Sequence, residues 1–542
     1  MTEPHSGHER RWTILGVLTI CLIVVIMGNT ILNVALRRIQ EDLEATQGEL
    51  QWAVDAYILV FAGLLFTWGV LGDRFGRRLV LVSGLAIFVV ASVFAAYADT
   101  ALELIIWRAL MGVGGAAVQP ATLAVITNVF PTAERAKAIG VWAGSTGLAI
   151  AVGPMAGGFL LEHFWWGSVF LLNVPVAVIG LVLTLWLIPE SRDPAPGRID
   201  VGGVLLSIAA LGLLVFGLIR GGEGDGWLRL TVLGPALGGV LLLALFVHLQ
   251  RRSAAPAFDV SLFSNPAFSS AAAALGLVFF ALLGATFFLV FYLQGVRGYS
   301  PLESGAALLP VAIGIAIFAP RSSGLVVRYG AKAVTASGML IIALSFAGFV
   351  FLQESTPLWI LLVLLFVQGV GMGNTMAPAT ESIMSVVPRE KAGAGAAVNN
   401  SVRQVGGALG VAILGSLLNS LYASRVRPSL SALSESQADT AGESLVGALS
   451  LAEAKAQEVA TLTTAVAEGG DRVADLARAT DELGQLGAAV GSAKDAFVSA
   501  MHVTSIATAV VVLLAAAIVA VWLPGGDTEP YDNRSVLISD RQ

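Results

Sequence analysis

Fourteen stretches of this 542-residue chain are each about twenty residues long and nearly free of charge, the length a helix needs to cross the apolar core of a bilayer. Their approximate limits are 12–34, 50–72, 79–97, 102–124, 136–160, 166–188, 201–219, 231–249, 268–292, 303–323, 333–352, 357–380, 395–421 and 499–522. In hydrocarbon each backbone amide must be satisfied within its own segment, so such runs are expected as helices. Composition agrees, with 56% of residues hydrophobic and 13% charged, more apolar than a water-soluble domain can hide. The 60 glycines suit helices that approach one another closely. The expectation is an all-α polytopic membrane protein whose first run, longer than a signal-peptide core, is retained as a span.

Lysine and arginine concentrate in short cytoplasmic loops, and this sets the orientation. With the N-terminus inside, the cytoplasmic segments hold seventeen basic residues, among them Arg74, Arg77, Arg78, Arg135, Lys137, Arg328 and Lys332. The short external loops hold five: Arg37, Arg38, Arg220, Arg229 and Arg297. Both termini are therefore expected in the cytoplasm. One connection, 422–498, is long and placed outside. It carries eleven acids and six bases, which leaves only −1 on the rest of a chain whose formal net charge is −6. Within it, 451–467 and 471–486 read as amphipathic helices around a Gly469-Gly470 turn. A solvated loop and a helical hairpin capping the external mouth are both open.

Several function classes fall away. There is no excess of basic residues for nucleic acid. Cys21 is the only cysteine and the five histidines are scattered, so no metal site or disulfide framework is expected. No nucleotide-binding glycine loop supports ATP-driven transport, and no carboxylate or histidine cluster suggests a membrane enzyme. No cofactor is expected.

An internal repeat then organises the chain. Gly112-Val113-Gly114 recurs as Gly369-Val370-Gly371, and Pro120-Ala121-Thr122 as Pro378-Ala379-Thr380, at offsets of 257 and 258. Arg74-Phe75-Gly76 recurs as Arg328-Tyr329-Gly330 at offset 254, and Pro131 with Glu134, Arg135 and Lys137 as Pro388 with Arg389, Glu390 and Lys391. The offset equals eight spans. The first six helices therefore pair with the last six, with two more between them. Repeats of equal polarity are related by an axis along the membrane normal, with the substrate path between them. The expected units are a cytoplasmic tail 1–11, an N-terminal bundle 12–188, two linker helices in 189–249, C-terminal bundle helices in 250–421, the external segment 422–498, the last helix 499–522 and a cytoplasmic tail 523–542.

Gly69-Val70-Leu71-Gly72-Asp73-Arg74-Phe75-Gly76-Arg77-Arg78 resembles the loop between the second and third helices of the major facilitator superfamily. Leu104, Arg108, Gly112 and Gly114 resemble its fourth-helix pattern. Gly140, Gly153-Pro154 and Gly157-Gly158 resemble the antiporter motif of its exporters. With fourteen spans, Asp55-Ala56-Tyr57 and Asn400-Ser401-Val402-Arg403-Gln404, the chain is similar to the fourteen-helix drug:proton antiporter branch. The resemblance implies the major facilitator fold with 14 transmembrane helices as 6+2+6, and proton-coupled efflux of lipophilic small molecules by a monomer in the inner (plasma) membrane, driven by the proton gradient. The alternative is an exporter or flippase-like transporter of lipids or a secreted metabolite, with or without proton coupling. One departure is Gly28, where relatives commonly place an Asp.

Ionisable groups inside spans default to function. Asp55, Arg108 and Glu381 are the candidates for proton coupling. Asp55 and Arg108 lie at similar depth, roughly 8–9 Å inside the external helix ends, so a pair between them is within reach. Asn33, Trp52, Tyr57, Arg403 and Gln404 are candidates for the substrate cavity. Gly69, Asp73, Arg74, Gly76 and Arg77 are expected to form a conformational latch, because a carboxylate at a helix end can meet arginines or the positive end of a helix from the other half. Gly153, Pro154, Gly157 and Gly158 are expected to give the fifth helix a close, bent contact with its neighbours.

Overall fold

The computed structural model describes residues 9–45, 47–194, 200–222, 228–253, 260–431, 433–467 and 473–524, and they are helical almost throughout. In chain order the helices are α1 Arg11–Thr30, α2 Leu32–Leu43, α3 Gln47–Phe75, α4 Arg77–Ala96, α5 Ala101–Val129, α6 Thr132–His163, α7 Ser168–Leu171, α8 Asn173–Leu187, α9 Val201–Gly222 and α10 Leu230–Arg252. They continue with α11 Pro266–Phe291, α12 Pro301–Ala307, α13 Leu309–Gly348, α14 Leu358–Val386, α15 Ala392–Val426, α16 Glu435–Glu443, α17 Leu445–Ala467 and α18 Val473–Trp522.

Among the described residues, twelve of these stretches are long and apolar enough to cross a membrane, which makes this an all-helical, multi-pass membrane protein. The difference from fourteen arises at two places. Residues 303–323 and 333–352 fall in a single stretch, Leu302–Phe351, although Gly330 breaks its helix with φ 81° and ψ 153°. Residues 136–160 lie inside α6, a 32-residue helix that is not one of the twelve.

Local chemistry explains where helices begin and stop. The Thr100 hydroxyl accepts from the Glu103 amide (3.3 Å) at the start of α5, and Asn265 accepts from the Ala267 amide (2.9 Å) at the start of α11. Ser300 and Glu303 form a reciprocal capping box on α12. Gly76, at φ 127°, separates α3 from α4, and its repeat partner Gly330 makes the corresponding break. Packing repeats as well. A Cβ on Gly112 would stand 2.7 Å from the Tyr57 carbonyl, and one on Gly369 would crowd that of Val311, which lies 254 residues after Tyr57. Gly114 faces Gly84 and Phe88, while Gly371 faces Gly338 and Ile342. Glycine thus lets α5 lie on α3 and α4 as closely as α14 lies on the two parts of α13.

The described residues of the long acidic segment are largely helical. Here α17 packs along the first part of α18, with Leu445, Ala448, Leu462, Ala479 and Leu486 buried. Lys455 bridges Glu458 (2.8 Å) and Glu482 (2.6 Å) between them. The stretch from Val473 to Leu486 is no separate helix; it opens a 50-residue α18, about 75 Å long, that continues into the last apolar run. Gly469-Gly470 lies outside the described residues.

Candidate functional site

Asp73 sits at the end of α3, 8% exposed, with a carboxylate that serves two elements at once. Arg77, one turn on and 1% exposed, donates to Asp73 Oδ1 through Nε (3.0 Å) and Nη2 (2.7 Å). From the far half of the chain, the backbone amides of Gly393 (2.8 Å) and Ala394 (2.9 Å) donate to Oδ1 and Oδ2, so Asp73 caps the amino end of α15. Arg77 completes the joint by donating to the carbonyls of Arg389 (2.8 Å) and Glu390 (3.0 Å). Close approach is possible because Gly69 faces Gly393: a Cβ on Gly69 would be 2.5 Å from the Gly393 carbonyl. The structure therefore brings Gly69, Asp73 and Arg77 to one seam at the amino end of α15, while Gly76 forms the turn beside it and faces Glu190. The Arg74 guanidinium lies over the Phe75 ring (5.7 Å).

A second seam pairs α6 with α13. A Cβ on Gly140 would lie 2.5 Å from the Ala319 carbonyl and Gly144 faces Ala316, while Gly158 faces Leu302 of the neighbouring α12. Gly157 packs on Ile31 and Gly153 is buried, while the Pro154 side chain lies outside the described residues. At the amino end of α6, Arg11 pairs with Glu134 (2.7 Å) and holds that carboxyl below its ordinary range, chiefly through the side-chain hydrogen bond. Arg389 reaches across to the Thr132 hydroxyl (3.3 Å).

Sequence reasoning missed Glu190. Its carboxylate accepts from the amides of Arg78 (3.1 Å) and Leu79 (3.2 Å), capping α4, and would collide with any side chain at Gly76. The Arg77 amide donates to the Ser191 carbonyl (2.9 Å), and the Asp193 amide to that of Asp73 (2.7 Å). The segment after α8 is thereby strapped over the turn. The only sequence signal was an acid just beyond a span.

Arg108 is fully buried, yet its partners are not those expected. It donates to the backbone carbonyls of Ala53 and Gly28, both at 3.0 Å, and lies 4.5 Å from the centre of the Tyr57 ring. The Tyr57 hydroxyl donates to the Val25 carbonyl (3.1 Å). So the pair of Arg108 with Asp55 is not formed here; Asp55 is half-buried two residues from Ala53. Gly28 has little room, since a Cβ there would be 2.8 Å from the Phe88 ring. Trp52 is partly exposed and stacks on Phe216 of α9 (6.1 Å), away from this cluster. The Asn33 side chain lies outside the described residues.

Arg403, on α15, is 3% exposed and donates to the Thr380 hydroxyl (3.0 Å) beneath the rings of Trp142 and Phe279. Gln404 beside it is half-buried. Glu381, next to Thr380, interacts electrostatically with Arg135 of α6. Arg403 and Glu381 thus sit where α14 and α15 meet α6, about 13 Å above the Asp73 latch along α15. Among the described residues, no group of histidine, cysteine and acids could hold a metal ion.

Two packed sets of helices, joined at glycine seams and a carboxylate latch around buried arginines, define a membrane transporter of the facilitator type. The sequence pattern of the Major Facilitator Superfamily matches residues 18–411, and the chain belongs to that superfamily. It is 35% identical over 513 residues to the multidrug efflux pump LfrA of Mycolicibacterium smegmatis, covering 94% of this chain and 96% of that one. It is also 35% identical over 419 residues to the tetracenomycin C resistance and export protein of Streptomyces glaucescens (77% and 78% covered). The human organic anion transporter MFSD10 has the same fold, with a TM-score of 0.54 over 75% of this chain and 93% of that one at 16% identity.

Proposed function

We propose that this protein exports lipophilic small molecules in exchange for protons, by alternating access across the inner (plasma) membrane. One observation carries the reading: Asp73 caps a helix 320 positions away, at a seam made of hydrogen bonds and glycine contacts. Such a seam can part without unfolding either side, as a rocking transporter requires. Export of lipophilic compounds is supported by the two efflux proteins to which the chain is similar over most of its length.

In this account α6 is one crossing and α13 is two, divided at Gly330, which gives fourteen crossings as 6+2+6. The halves are 12–188 and 250–421 with 499–522; 189–249 is the linker pair and 422–498 an external hairpin. The tails 1–11 and 523–542 are cytoplasmic, as the seventeen-to-five distribution of basic residues favours. The protein works as a monomer without cofactor or enzymatic step, drawing on the proton gradient.

Asp55 carries the proton. With the cytoplasmic seam shut, carbonyls of α1 and α3 occupy Arg108. Movement of α3 on α5 exchanges them for the Asp55 carboxylate, and pairing with a guanidinium favours release of its proton. Glu381, facing Arg135, is the second titrating group on the cytoplasmic side. The test is efflux from vesicles with an imposed proton gradient, using a cationic dye and a neutral lipophile. Gradient-dependent efflux of either supports the reading; efflux that ignores the gradient refutes coupling.

A further inference from the structure

The buried cation at Arg403 is not explained by the latch or by Asp55. Its Nη2 donates to Thr380, but Nε and Nη1 are buried without a partner, and among the described residues no carboxylate pairs with it. One turn back on the same face of α15, Asn400 is 1% exposed with both amide atoms unpaired. Glu381, adjoining Thr380, has a buried Oε2 without a hydrogen-bond partner, and its electrostatic neighbour is Arg135 rather than Arg403. The aromatic faces that cover the guanidinium, Trp142 at 4.8 Å and Phe279 at 5.1 Å, hold it flat and leave its edge to a ligand. Trp142 is itself fixed, its Nε1 donating to the Thr122 hydroxyl (3.1 Å).

Beside this cluster lies hydrocarbon. Leu282, three residues beyond Phe279, and Gly147, five beyond Trp142, line a cavity of about 30 Å³ together with Leu289, Ile315 and Leu365. Among the described residues its polar neighbours are Thr286 and Gln368. A buried unpaired cation is costly, and a planar anion in two-point contact with a guanidinium is its best partner.

We propose that Arg403 and Asn400 form the anion-recognising end of the substrate site, and that the exported compounds include lipophilic acids in ionised form. The carboxylate takes one fork of the guanidinium, a free donor at Nε or Nη1 together with the second hydrogen of Nη2, and the Asn400 amide, while the hydrocarbon body extends toward the apolar cavity. That cavity is far smaller than the 300–1,000 Å³ of a ligand site, so the body is admitted when α6 parts from α11 and α14. The inference rests on the exporter reading above.

The experiment measures equilibrium binding of 2-naphthoate and its neutral isostere 2-naphthamide to the purified full chain, in wild type, Arg403→Gln, Arg403→Lys and Asn400→Ala. Wild type should prefer the carboxylate by about 10-fold or more, the worth of a charge-assisted contact. Arg403→Gln should erase that preference, Arg403→Lys restore part of it, and Asn400→Ala reduce it. Equal binding of the two probes by wild type, or a preference that survives in Arg403→Gln, overturns the proposal. If Arg403→Gln does not fold, Asn400→Ala decides by the same ratio. Vesicles loaded with naphthoate or tetraphenylphosphonium separate the two levels. Export of neither defeats the exporter reading; export of the cation with no carboxylate preference defeats this inference alone.

Discussion

Replacing Asp73 by asparagine should open the cytoplasmic seam. Opening the Asp73 latch breaks four hydrogen bonds, from the two α15 amides to the carboxylate and from Arg77 to the two carbonyls; the Asp73–Arg77 pair belongs to one half and survives opening. Asparagine keeps one acceptor oxygen and presents an amide group in place of the other. One charge-assisted hydrogen bond is lost, about 1.5–3 kcal/mol, together with a charge–dipole attraction of about 0.3–1 kcal/mol. A total near 2–4 kcal/mol shifts the closed-to-open ratio by about 30- to 900-fold. The shift can be read as a distance. In a Cys21→Ser background, spin labels at Thr132→Cys and Glu390→Cys report across the seam where Arg389 meets Thr132. The parent should show mainly a short separation, and Asp73→Asn mainly a longer one. A folded Asp73→Asn protein with the parent's distance distribution refutes the latch.

Other consequences concern the seam and the hairpin. Gly69→Ala puts a methyl 2.5 Å from the Gly393 carbonyl and 2.7 Å from the Ala397 Cβ, neither of which can swing aside, so it should widen the same label distance and slow efflux. Gly16→Ala, with open space around it, should do neither. Lys455 has its pKa raised, first by the hydrogen bond to Glu458 and then by that to Glu482. Its folded value exceeds the unfolded one, so its contribution is whole below the unfolded pKa and disappears only as pH rises through the raised value. Hydrogen exchange in α17 should therefore be unchanged by this group across neutral pH, and Lys455→Ala at pH 7 should speed it.

Much of the fold is legible in the amino-acid order alone. Apolar runs mark helices because bilayer thickness admits few alternatives, and glycines repeated at one offset mark equivalent packing because only glycine permits those backbone approaches. Asp73 stands out as an acid among loop arginines, and it does meet both an arginine and a helix end. The partner of Arg108 is not legible, since backbone carbonyls carry no sequence signature. Glu190 escapes notice because the amides it caps lie 112 and 111 residues away. Residues 471–486 look like an isolated helix because their polarity changes at the bilayer edge, whereas the backbone of α18 runs on through it.

Reciprocal coupling offers the most direct test of proton exchange. If substrate and proton share one cycle, a substrate gradient must drive protons uphill just as a proton gradient drives substrate. Purified protein in liposomes containing a pH-sensitive dye, with no pH gradient imposed, should change the internal pH when a lipophilic substrate is added to one side, and Asp55→Asn should abolish the change while still binding that substrate. An unaltered proton flux in Asp55→Asn, or none in the wild type despite measurable substrate movement, would contradict proton-coupled export through Asp55.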